Sequence, residues 1–207
     1  MHDSDVMLGG RMKTNMNMTN LSRSHAEIVK EASIMRKLVD GKKYKKAIDN
    51  GWKFAKDWRR VEISPFTTVF WKYMGLAYFN VKDFNGSSKC FENALVTGPK
   101  DTEAIIGRSM SMLAMGRIDD ALTGFTIASK ISPKDPTPLI LASISWGVKG
   151  KKKKAAEFAK MAMKSNPRAA AGAYSELIDA YIKNPKTKKS EKVRLLRMKK
   201  EIVSALS

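Results

Sequence analysis

Cysteine and histidine are nearly absent from this sequence: Cys90 stands alone, and the two histidines are His2 and His25. A single cysteine excludes an internal disulfide framework and fits a reducing compartment. Two histidines, one near the start of the chain and one at an expected helix start, cannot build a conventional histidine metal cluster. There is no His-Glu-x-x-His, no paired Cys-x-x-Cys, no Gly-x-x-x-x-Gly-Lys loop and no Gly-x-Ser-x-Gly elbow. Asp119-Asp120 falls where a helix begins, and carboxylates there favour the helix dipole without any acid–base role. Cys90 lies beside Phe91 in a packing helix and reads as a small buried residue. No catalytic constellation, metal site or cofactor is expected, and the chain reads as a non-enzyme.

Long apolar runs are missing too. No stretch approaches the roughly twenty apolar residues that a membrane span needs. The first twenty residues lack the apolar core and small-residue cleavage site of a secretory signal and are poor in Arg, so the expectation is a soluble, cytoplasmic protein. Acidic residues are also scarce, 20 against 39 Lys and Arg, which leaves a net charge of +19. Such a charge implies attraction to acidic proteins, nucleic acid or anionic lipid and says little about fold.

What the chain does have is a pattern that returns every 34 residues. Trp71, Gly75, Tyr78, Phe91, Ala94 and Pro99 recur as Ile105, Ser109, Met112, Phe125, Ala128 and Pro133, then as Leu139, Ser143, Trp146, Ala159, Ala162 and Pro167. Ser87, Ala121 and Ala155 keep the same register. Small residues let two helices approach, bulky ones fill the holes, and each proline follows a helix that it cannot continue. A period of this length marks a stacked helix-turn-helix solenoid. Trp71-x-x-Met74-Gly75-x-x-Tyr78 followed by Phe91, Ala94 and Pro99 resembles the tetratricopeptide repeat signature, and the resemblance covers Thr68 to about Pro167. It implies an all-α solenoid of helical hairpins.

Taken in order, residues 1–23 are rich in Met, Asn, Ser and Gly and read as a disordered or loosely docked arm, able to fold on a partner or on a second copy of the chain in a homodimer. Ser24-His25-Ala26-Glu27 has capping-box spacing and opens a first helix with the stripe Ile28, Ala32, Met35 and Val39. Residues 24–66 form a degenerate first hairpin, its second helix over 42–58, with the next repeat displaced by about six residues and a connection from Val61 to Phe66. Three repeats occupy 67–167, pairing helices over 66–80 and 84–97, 102–115 and 118–131, and 136–148 and 151–165. Asn85-Gly86 alone would suggest a β-hairpin, but the helical grid makes it the start of a helix. Residues 168–207 form the closing helices, one over 169–183 and a last one capped by Ser190 with the stripe Leu195, Met198, Ile202 and Leu206 and a basic outer face.

In a tetratricopeptide stack the first helices of the hairpins line the concave groove. The repeat grid places Val69, Lys72, Leu76, Phe79, Ile106, Met110, Leu113, Ile140, Ile144 and Val148 there, a nearly apolar row. Of these, Lys72 alone suits a Lys/Asn/Arg clamp for an acidic C-terminal peptide, so an amphipathic helix or extended apolar segment of a partner protein is the better guest. Filling of the groove by the terminal arm, the last helix or a second subunit is the alternative. Three hairpins, an N-terminal helical extension, a final helix and an apolar groove resemble the class II chaperones of type III secretion, most closely over Gly107 to Phe158. That resemblance implies a translocator segment as guest, although those chaperones are commonly acidic. The rival site is a basic edge: Lys42, Lys43, Lys45 and Lys46, with Lys151, Lys152, Lys153 and Lys154, fall at equivalent hairpin turns and form a stripe, continued by the last helix, for nucleic acid, an acidic membrane surface or an acidic partner. A permanent subunit of a larger complex would carry the same features.

Overall fold

A computed structural model describes residues 18–57 and 65–183, together with the helical positions Lys189, Ser190, Val193, Leu196 and Lys200. The described elements are α1 (Met18–Asp40), α2 (Tyr44–Asp57), α3 (Pro65–Asn80), α4 (Phe84–Thr97), α5 (Thr102–Ala114), α6 (Ile118–Ile131), α7 (Thr137–Val148), α8 (Lys152–Ser165) and α9 (Pro167–Lys183). No strand occurs among them. Consecutive helices pack as hairpins, α1 with α2 through α7 with α8, and each second helix also packs on the first helix of the next unit.

The 34-residue period is visible atom by atom in the turns. Lys82, Gly116 and Gly150 take left-handed φ values of 67°, 79° and 74°, and Lys42, forty residues before Lys82, takes 56°. One residue later the amide reaches back over the turn: Lys43 N to Leu38 O, Asp83 N to Tyr78 O, Arg117 N to Met112 O and Lys151 N to Trp146 O, all at 2.8–3.0 Å. This is the bond that closes a helix through a left-handed residue. The displacement of about six residues in the first unit is therefore real, since the turns at Lys42 and Lys82 stand 40 residues apart where the later ones stand 34 apart. At the far end of each unit, Gly98, Ser132 and Asn166 amides bond to Ala94, Ala128 and Ala162 carbonyls, and the three register prolines follow at 99, 133 and 167. Asp101 and Asn166 then cap the next first helix through Ala104 N and Ala169 N.

The sequence-based boundaries match to within two residues, except at the N-terminus. There α1 runs from Met18, so Ser24 to Glu27 lies inside the helix and not at its start. Nothing between Met18 and Arg23 breaks a helix, and the capping pattern is overridden. Pro65 opens α3 as its first residue instead of belonging to a connection, a position where its missing N–H is harmless. The rest of that connection, residues 1–17 of the arm, and Leu195, Met198, Ile202 and Leu206 lie outside the described residues. Ser190 is itself helical, so it is no cap.

The core shows why the grid alternates small and large. Phe91 is buried between two glycines of different helices: a Cβ on Gly75 would come within 2.8 Å of its ring, and one on Gly107 within 2.3 Å. The ring therefore joins α3, α4 and α5 in one seam with Ala94 and Ala104. Gly86 of Asn85-Gly86 is helical because Asp83 Oδ1 accepts its amide at 2.8 Å, and a Cβ there would strike Tyr78. Ile28, Ala32, Met35 and Ala47 are buried, as their stripes require. Cys90 is buried in the same cluster, and burial together with the charge of Asp83 pushes its thiol up to about 12, so it packs as an unreactive small residue.

One hydrogen bond changes owner between repeats. Ser87 of α4 donates to the Gly75 carbonyl at 2.9 Å, whereas Ser143 of α7, at the grid position of Gly75, donates to Ala155 at 2.8 Å. In the middle unit Ser109 turns its hydroxyl to Ile105 of its own helix. Its neighbour Ser111 instead meets Ser87 across the seam at 2.8 Å.

Candidate partner-binding surface

First helices touch one another across repeats, α3 on α5 and α7 on α9, while no pair of second helices makes a comparable contact among the described residues. The first helices therefore line the inside of the curve and α4, α6 and α8 the outside. The ten groove residues derived from the grid all lie on first helices, but they are not equally open. Leu76 is 40% exposed, Ile144 36% and Val148 64%. Val69, Phe79, Ile106, Met110 and Leu113 are half-buried, presenting part of their apolar surface. Gly147 is exposed, with nothing within 4 Å of a Cβ built on it, so the α7 end of the row is the most open.

Two members of the row need correction. Ile140 is only 2% exposed, because α9 lies over it and it packs with Leu139, Ala162 and Ala170. Helix α9 thus covers one part of the row, and it is not the last helix named among the alternative occupants, whose stripe lies outside the described residues. Lys72 is not a free cation. Its ammonium donates to Asp101 Oδ2 at 2.9 Å and Glu103 Oε2 at 2.8 Å, both from the start of α5. Burial opposes its charge, yet the bonds and charges of the two carboxylates outweigh this and hold it above its ordinary range. Lys72 ties one repeat to the next and offers no clamp.

The lysine edge is exposed at all eight positions. Its two clusters do sit at equivalent turns, but the turns between them carry Asp83 and then Asp119 with Asp120. These turns also hold Lys82 and Arg117, so they are of mixed charge, and the expected stripe is not a continuous run of lysines. The clusters also sit where helix electrostatics disfavours them: Lys152, Lys153 and Lys154 begin α8, whereas Asp119 and Asp120 in the first turn of α6 complement its dipole. Lys154 Nζ lies 4.3 Å from the centre of the Trp146 ring, and Lys149 pairs with Asp119.

Sequence reasoning missed the partners of Lys72 and the surface around Trp146. The grid assigned Trp146 to the packing position of Tyr78 and Met112, and its pairing with Lys154 crosses a turn that a helical stripe does not register.

The described architecture is that of a stacked helical-hairpin solenoid. It is a solenoid of the tetratricopeptide type. YrrB, described as a TPR protein with an unusual peptide-binding site, superimposes with a TM-score of 0.59 and 20% identity over 75% of this chain and 84% of its own. The 41-to-end segment of MamA from Desulfovibrio magneticus RS-1 superimposes with a TM-score of 0.60 and 15% identity over 86% of this chain and 94% of its own. In sequence, the STIP1 homolog of Dictyostelium discoideum is 37% identical over 62 residues, 30% of this chain. That stretch is 11% of the relative, so this chain matches only a small part of it. No family model matches the chain. At these identities the structural likeness defines the fold. Among the described residues no helix is long and apolar enough to cross a membrane, and no three His, Cys, Asp or Glu side chains are grouped to hold a metal ion.

Proposed function

We propose that the chain is a protein-binding module, a cytoplasmic chaperone or adaptor that holds an apolar segment of a partner along the inner face of the solenoid. The observation that carries this reading is the open row Leu76, Ile144 and Val148, extended by the half-buried Ile106 and Met110. Leu76, Ile144 and Val148 join none of the core clusters among the described residues, Ile106 and Met110 pack only in part against one, and an amphipathic helix or extended strand of a guest would cover what is left open. A peptide-binding site on YrrB, a protein of the same fold, supports the general mode but not the identity of the guest. On the type III secretion reading, the guest would be a translocator segment kept soluble before export. The module works through affinity and carries out no chemistry of its own.

The test is Leu76→Glu combined with Ile144→Glu. Partners recovered with the native chain at natural abundance, and identified by mass spectrometry, should fall by about tenfold or more, since charged groups replace buried anchors. Circular dichroism should still report a cooperatively folded helical protein. Unchanged recovery would reject the inner face as the binding surface.

A second reading rests on the exposed lysine clusters, which would bind nucleic acid or another polyanion. It requires a steep loss of affinity with salt, because each phosphate contact releases counterions. Replacing Lys151, Lys152, Lys153 and Lys154 with Gln should flatten that slope, and a salt-insensitive affinity would reject it.

A further inference from the structure

On the outer face, α6 stands as a ridge between two clefts. One of about 310 Å³ lies toward α4 and α5, and one of about 450 Å³ lies toward α7 and α8. Ile127, 47% exposed, lines both. The larger cleft has an apolar wall of Leu122, Ile127, Trp146 and Phe158, with Lys130 at its rim. Its one carboxylate, Asp119, is already paired with Lys149. Lys130 and Lys154 have no carboxylate partner among the described residues, and Lys154 sits over the Trp146 ring. The indole Nε1–H of Trp146 is sealed from solvent and has no acceptor among the described residues. The groups left uncompensated around this cleft are therefore donors and cations, and its wall is apolar.

We propose that this cleft is a second docking site, independent of the inner groove, for an acidic amphipathic peptide of a partner protein. A bulky apolar side chain of the peptide sits on Ile127, Trp146 and Phe158, and flanking carboxylates meet Lys130 and Lys154. Charge complementarity selects this occupant. A second copy of the chain brings the same net +19 and would be repelled from a rim of lysines. A flat anionic surface satisfies the lysines but leaves the recessed apolar wall uncovered.

The experiment is fluorescence anisotropy with a fluorescein-labelled glutamate-rich peptide that carries two leucines one helical turn apart. The native chain should bind it saturably. Ile127→Asp, and Lys130→Glu with Lys154→Glu, should each weaken binding by about tenfold or more, and a leucine-free peptide of equal charge should bind at least that much more weakly. All three altered positions are exposed, and circular dichroism confirms that the variants fold. Leu76→Glu with Ile144→Glu should change the affinity less than about twofold, which separates this site from the inner groove. The proposal is overturned if the peptide does not saturate, if the leucine-free peptide binds equally well, or if the inner-face variant loses binding. It is likewise overturned if phosphatidylserine vesicles compete with the peptide and respond to the same substitutions, which would make the site a lipid contact.

Discussion

The seam that joins α3, α4 and α5 and the seam that joins α7, α8 and α9 follow one repeat grid, yet they are filled differently. In the first, Phe91 is held between Gly75 and Gly107, Ser87 meets Ser111, and Lys72 is bound by two carboxylates of α5. In the second, Ala162 is the only fully buried residue of α8, it meets Leu139, Ile140 and Ala170, and α8 touches α9 much less extensively than α4 touches α5. The open apolar residues Ile144 and Val148 and the lysine run at the start of α8 gather at this thinner seam. Regular spacing specifies where helices lie, while the side chains at the seam decide which part of the stack is rigid and which part is left for a guest. Weakly packed elements are where binding surfaces are commonly found.

Substitutions can break this contrast. Phe91→Ala should cost about 3–5 kcal/mol in urea unfolding, as expected when a fully buried aromatic is removed. The half-buried Phe158, next to Ala159 at the grid position of Phe91, should cost about half as much when changed to Ala, since roughly half the area leaves water. Equal costs would show that the seams are equivalent. Next in size, Gly107→Ala places a Cβ 2.3 Å from the Phe91 ring and should destabilise by about 1–3 kcal/mol through overpacking. Gly147→Ala meets nothing within 4 Å and should stabilise the helix by about 0.5–1 kcal/mol, a change of opposite sign. The smallest effect falls on the helix starts. Lys153→Glu should raise stability by about 0.3–1 kcal/mol at low salt and Asp120→Lys should lower it, both differences shrinking as salt is added. A destabilising Lys153→Glu would mean that the lysine run supports the fold instead of serving a ligand.

Much of this was legible in the sequence. The prolines at 99, 133 and 167 and the small residues of the grid located the hairpins from α3 to α8 within two residues, because helix ends and close helix contacts are set by local residue type. The groove was only half legible. Spacing alone put Ile140 on the same face as Ile106, but whether such a position is open depends on how closely the next first helix, here α9, lies over it. Lys72 has its partners 29 and 31 residues away, beyond any single-helix pattern. The early start of α1 escaped because a capping pattern is permissive and does not force a helix to begin there. Nor does periodicity foretell an outer cleft, which arises where second helices of adjacent repeats stand apart.

The migrating serine bond carries a lesson for anyone who would shuffle these units. Gly75 with Ser87, and Ser143 with Ala155, place a single hydroxyl between the helices of one hairpin from opposite sides, while Ser109 with Ala121 does without that bond. A chimera that combined the glycine of one with the alanine of the other would lose the bond between the two helices, and one that combined both serines would crowd two hydroxyls into the space of one. Units that look interchangeable in an alignment are matched pairs of halves, so recombination between them would succeed at the loops joining hairpins and fail at the turns inside them.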